Sequence, residues 1–180
     1  MRPRNAPKHT IDSPAAGKDK ITGIYGPCEI ESLLPLTNDI SALKKKINDL
    51  GADGWTYIPS GLIWGWRVLS PNEPFTDVKP YDDKEWVKAL VLMTDGSNTL
   101  DFSYTGDDAD PQTAALCENM KDQGITIYSV AFQINSKSTK KLIQNCASGA
   151  DNYYDASDNS ALKAAFNSIG EKLSELRISK

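Results

Sequence analysis

Two short, uninterrupted apolar runs, Ala89-Leu90-Val91-Leu92-Met93-Thr94 and Ile125-Thr126-Ile127-Tyr128-Ser129-Val130-Ala131-Phe132, limit the fold more than any other feature. A strand with water on one face alternates apolar and polar residues, whereas a strand covered on both faces reads as a continuous apolar run, the mark of a parallel sheet. The first run is ended by the turn pair Asp95-Gly96. One helix signal lies between the runs. Asp110-Pro111 supplies a cap and a first-turn proline, Leu116 and Met120 share a face, and Gly124 ends the helix. A strand, a crossover helix and a second buried strand imply parallel pairing.

The remaining periodicities extend this unit in both directions. A short helix is expected from about Thr139 to Cys146, a brief strand at Tyr153-Tyr154, and a final helix from near Asp158. That helix carries Leu162, Phe166, Ile169, Leu173 and Leu176 on one face. Upstream, Leu33-Leu34-Pro35-Leu36 reads as the end of a short strand. Asp39 or Ser41 caps a helix with Ile40, Leu43, Ile47 and Leu50 at helical spacing, and Gly51 stops it. A second helical run covers Ser60–Leu69 and ends before Pro71. Trp64 and Trp66 lie two apart and so diverge on that helix; one is expected in the core, the other under the polar excursion of residues 72–86. The fold class is therefore α/β, with a Rossmann-like, mostly parallel sheet and helices on both faces. Residues 1–20 show no apolar periodicity and are expected to be a disordered leader, with residues 21–180 as the domain.

Several function classes are disfavoured. The net charge of -4 gives no basic footprint for nucleic acid, and Lys44-Lys45-Lys46 reads as the solvated face of a helix. No stretch approaches the ~18 apolar residues of a membrane span, and the basic start Met1-Arg2-Pro3-Arg4 is followed by no apolar run of an export signal. The chain is then either cytoplasmic or targeted by a segment outside this sequence. His9, the single histidine, lies in the expected leader, so no serine or cysteine has an evident base. No phosphate-cradling glycine motif is present. Asp101, Asp107 and Asp108 sit on a polar loop with no pattern of their own. Three cysteines lack zinc spacing. Cys117 lies on one helix and Cys146 ends the next, and the two helices flank the strand between them, so they are either bridged, which implies an oxidising compartment, or two buried thiols. Cys28 is left over.

The segment Leu90-Val91-Leu92-Met93-Thr94-Asp95-Gly96 resembles the fourth-strand motif of von Willebrand factor A (VWA) domains, in which the aspartate serves a metal-ion-dependent adhesion site. Thr56 matches the threonine of that site. The runs Trp64–Pro71, Leu116–Lys121, Ile127–Phe132 and Asn145–Ser148 resemble the C-terminal VWA region of TadG-like bacterial Tad (Flp) pilus-assembly proteins. The resemblance covers about Leu33 to Lys180. It implies a non-enzymatic adhesion module outside the cytoplasm, on the periplasmic or cell-surface side of the envelope, with a protein partner in the pilus machinery and Mg2+ as the cofactor of intact relatives.

The chain departs from this pattern in one place. The family's first metal motif, Asp-x-Ser-x-Ser after the central strand, has no match; Asp12-Ser13-Pro14-Ala15 lacks the second serine and follows no apolar strand. The expectation is a truncated family member without its first strand, first helix and second strand, with Thr56 and Asp95 as an incomplete metal site. Magnesium needs six oxygens in near-octahedral array, so weak or absent binding follows. A hydrolase or phosphotransferase using Asp95 is the alternative.

Overall fold

The structure, a computed structural model, describes residues 32–51, 56–99 and 109–178, with side chains up to residue 175. The expected leader, His9, Asp12, Cys28 and the aspartates of residues 100–108 lie outside the described residues. The chain divides into two compact units.

The smaller unit includes Asp39–Gly51 and its helix α1, Ile40–Asp49. Asp39, not Ser41, is the cap: its carboxylate accepts from the N–H of Ser41 at 2.8 Å and of Ala42 at 3.1 Å. Its apolar residues Ile40 and Ile47 are exposed. Residues 32–38 form no strand, contrary to the expectation for Leu33–Leu36.

The larger unit runs through α2 (Ile58–Leu69), β1 (Ala89–Thr94), α3 (Ala109–Asp122), β2 (Thr126–Phe132), α4 (Lys137–Cys146), β3 (Tyr153–Ala156) and α5 (Asn159–Ile178). Among the described residues three strands form one sheet in the order β1-β2-β3, parallel throughout, with Ala89 beside Thr126 and Ser129 beside Tyr153. Because the strand order advances in one direction, right-handed crossovers set both connecting helices on the same face. There Ile58 and Leu62 of α2, Cys117 and Met120 of α3, and Ile143 and Cys146 of α4 pack on Leu92, Ile127 and Ala131. The other face carries α5, whose Ala165 and Ile169 cover Tyr128, Val130 and Ala156. The fold is thus the expected α/β sheet with helices on both faces.

Polar groups in the core are matched. Ser129 is fully buried and donates to the carbonyl of Ile143 at 2.7 Å, which locks β2 to α4. Lys88, at the entry to β1, is buried. Its ammonium donates to the carbonyls of Leu69 at 2.7 Å and Lys79 at 2.5 Å and lies 4.2 Å from the centre of the Tyr81 ring. Desolvation lowers its pKa, partly opposed by Asp83. Asp158 caps α5 by accepting from the N–H groups of Ser160 and Ala161. Those bonds, Ala161's first, hold its carboxyl below the ordinary value.

Three readings need correction. Trp66 alone serves both roles assigned to the tryptophan pair: it packs against the main core and its indole N–H donates to the Tyr81 hydroxyl at 3.0 Å, while Trp64 is 49% exposed. On α5 the core position is Ala165, and Phe166 turns outward. On β1 Leu90 and Leu92 face the main core and Ala89 packs against the α5 cluster on the other face, but Val91 and Met93, on that same face, are 38% and 42% exposed. The run is apolar on both sides, but among the described residues the second side is covered only at its start, at Ala89.

Candidate functional site: the rim at the carboxyl end of the first strand

In a parallel α/β sheet, every strand ends at the same edge, and the loops there collect the polar side chains. At the end of β1 the chain turns sharply. The Thr94 hydroxyl donates to the Gly96 carbonyl at 2.9 Å and accepts from the Gly96 N–H at 3.3 Å. Asp95 is thereby held outward, exposed to solvent.

The residues that follow tie this loop to three helices. Helix α2 has no capping side chain of its own at Tyr57. Asn98 substitutes for it: its carboxamide oxygen accepts from the Ile58 N–H at 2.8 Å, and its amide donates to the Asp110 carboxylate at 2.7 Å on α3. Thr99 completes the link. Its hydroxyl accepts from the Thr56 N–H at 2.8 Å, and its own N–H donates to the Thr56 carbonyl at 2.9 Å. Ser97 shares a hydrogen bond of 2.6 Å with Thr139 on α4. The Tyr57 hydroxyl donates to Gln112 at 2.5 Å. The described start of this loop, residues 97–99, is therefore tied by side-chain hydrogen bonds to the start of α2, to α3 and to α4.

Thr56 and Asp95 both belong to this rim: the Thr56 backbone is bonded to the loop that Asp95 opens. Neither the Thr56 hydroxyl nor the Asp95 carboxylate has a hydrogen-bond partner among the described residues, and no three His, Cys, Asp or Glu side chains gather there around a possible ion. The residues that organise the rim, Asn98 and Thr99, are absent from the sequence-based expectations. Their only signal is a polar Ser-Asn-Thr run after a strand, which is what any surface turn looks like.

Cys117 and Cys146 are joined in a disulfide, with Cα atoms 5.1 Å apart. It fastens α3 to α4 below the rim, within the core.

No protein-family model matches the chain, and no curated protein matches it. Among solved structures, the pilus adhesin SpaC from Lactobacillus rhamnosus GG is similar at a TM-score of 0.57 and 18% identity, over 73% of this chain and 20% of the adhesin. Two structures of proximal thread matrix protein 1 from the mussel byssus give TM-scores of 0.48 and 0.49 at 17% and 22% identity. They cover 70% and 73% of this chain and 29% and 31% of theirs, and in the second the MIDAS motif is occupied by zinc. The chain spans about a fifth of the adhesin's length. At such identity the likeness is one of fold, a VWA-like α/β arrangement.

Proposed function

We propose that the chain is a non-enzymatic, protein-binding adhesion module of the bacterial cell envelope, related to the VWA region of Tad (Flp) pilus-assembly proteins, and that the rim carrying Thr56 and Asp95 is its binding face. The observation that supports this best is the fixed loop after β1. A surface loop pinned to three helices loses little conformational freedom on binding, which is what a recognition face gains from preorganisation. The motifs Trp64–Pro71 and Leu116–Lys121 carry the pilus-assembly side of the reading, and a partner carboxylate is the group that a metal at such a rim would hold.

Thr56 and Asp95 would supply one hydroxyl and one carboxylate to Mg2+, and water would fill the other positions. Binding should therefore be poorer than millimolar. A ligand of the native state stabilises it by RT ln(1 + [L]/Kd), so millimolar magnesium should add no more than about 0.4 kcal/mol. Titration calorimetry and thermal melts with Mg2+, on the wild type and Asp95→Ala, test this. Micromolar affinity lost in Asp95→Ala would show that other residues complete the site. The non-enzymatic reading would fall to phosphoester turnover abolished by Asp95→Asn.

A further inference from the structure

A second concavity lies one strand over, at the carboxyl ends of β2 and β3, with a volume of about 490 Å³. Its walls are Gln133, Ile134 and Asn135 from the β2–α4 loop, Lys140 from the first turns of α4, and Asp155 and Ser157 from the end of β3 and its loop. The two loops stay together because the Gln133 N–H donates to the Ala156 carbonyl at 2.8 Å. Gln133 itself adopts φ 53°, a left-handed conformation that a non-glycine residue holds only when its surroundings enforce it, and one found preferentially at binding sites.

We propose that this cleft binds a neutral polyhydroxyl ligand, a saccharide. The argument rests on what the lining can and cannot accept. Lys140 and Asp155 form an ion pair of 2.7 Å, with side chains 35% and 44% exposed, so both keep unused hydrogen-bonding capacity toward the cleft. Their charges cancel. An anionic ligand drawn to Lys140 meets the Asp155 carboxylate, and a cation drawn to Asp155 meets the ammonium. A hydroxyl donates and accepts at once, so two neighbouring hydroxyls accept from Lys140 and donate to Asp155 together. The carboxamides of Gln133 and Asn135 and the hydroxyl of Ser157 also offer both functions. Ile134, which lines the cleft and is 5% exposed, closes its floor with a small apolar surface. A peptide unit carries its donor and its acceptor on separate atoms pointing in opposite directions, whereas a hydroxyl carries both on one oxygen and can serve the adjacent ammonium and carboxylate together.

The test is a two-dimensional amide NMR titration of the full chain with the methyl glycosides of glucose, galactose, mannose and N-acetylglucosamine, each to tens of millimolar. The expected result is a saturable response to at least one glycoside, confined to residues 133–140 and 155–157 and unchanged by added sodium chloride. Lys140→Met and Asp155→Asn should each weaken it at least about tenfold, because each removes a charge-assisted hydrogen bond. Both positions are half exposed, where an ion pair contributes little to stability, and an otherwise unchanged spectrum verifies the fold. No response to any glycoside overturns the proposal. So does a response only to glucose 6-phosphate that fades with salt, a response only to a polar peptide, or a glycoside response that survives both variants. Asp95→Ala should leave the titration unaltered, so failure at this cleft and failure at the metal rim are told apart.

Discussion

Removing the Cys117–Cys146 bridge should cost this domain a large part of its stability. The bond closes a segment with a sequence separation of 29, and in the chain-entropy model a loop of that size constrains the unfolded chain by about 3.5 kcal/mol. Both cysteines are 1% exposed and sit in the main core, so Cys117→Ala/Cys146→Ala adds a small packing loss, about 1 kcal/mol per site. Together these amount to about 5 kcal/mol, against about 5–15 kcal/mol for a whole domain. For a domain of this size each kcal/mol shifts the melting temperature by about 2–4 °C, giving a fall of about 10–20 °C. Urea unfolding with linear extrapolation measures the loss. The wild type in reductant separates the two contributions, since it keeps its sulfur atoms and loses only the cross-link. A Cys28→Ser background prevents thiol exchange. If the double variant and the oxidised wild type agree within about 1 kcal/mol, the loop-closure reasoning is wrong for this fold.

Asp158→Asn preserves a good helix cap but removes a carboxyl whose folded-state pKa is lowered by the Ala161 and Ser160 N–H groups. The stability from that lowering is present above the unfolded-state value near 3.8 and lost as pH falls through the lower folded value. The variant should therefore show a flatter acid limb below about pH 4, and an unchanged limb in acid-unfolding curves would contradict this. Lys88→Met leaves the Leu69 and Lys79 carbonyls without the ammonium that now satisfies them. The expected loss is about 2–3 kcal/mol by denaturant unfolding, and a loss under about 0.5 kcal/mol would show that water replaces it freely. Val91→Lys should cost less than about 0.5 kcal/mol, as surface substitutions do, because Val91 is 38% exposed; a cost of several kcal/mol would mean that this face of β1 is covered in solution.

The sheet and its crossover helices were legible because long-range burial leaves a local trace. Ile125–Phe132 is apolar at both parities, and among the described residues β2 is the strand with neighbours on both edges and helices on both faces. Ala89–Thr94 has the same composition and a different fate, since the pattern reports what a strand can bury and not what lies beside it. The final helix shows the same limit at finer scale. Periodicity put Phe166 in the stripe, but the residue buried against the sheet at that turn is the small Ala165, and Phe166 is exposed. Thr56 and Asp95 were visible only through family resemblance. Asn98 and Thr99 were not visible at all: a residue that caps a helix forty positions upstream leaves no periodic signature, and Asn and Thr after a strand are ordinary turn residues.

The placement of α2 links stability to the rim. Midway along this helix, Gly65 lies against the Leu90 side chain of β1, where an added Cβ would stand 2.7 Å from the Leu90 Cδ1 atom and require that methyl to move. At its start, the helix takes its cap from Asn98 and its backbone bridge from Thr99, both in the loop that β1 feeds. Strand and loop therefore hold the helix at two points, and the loop cannot shift without uncapping α2 or breaking the Asn98–Asp110 bond to α3. An exposed loop ordinarily samples many conformations; this one shares hydrogen bonds with the elements that bury the core. The backbone beside Asp95 is thus tied through Thr94, Ser97, Asn98 and Thr99 to the elements that bury the core, and such ties lower the ordering cost that a binding face would otherwise meet.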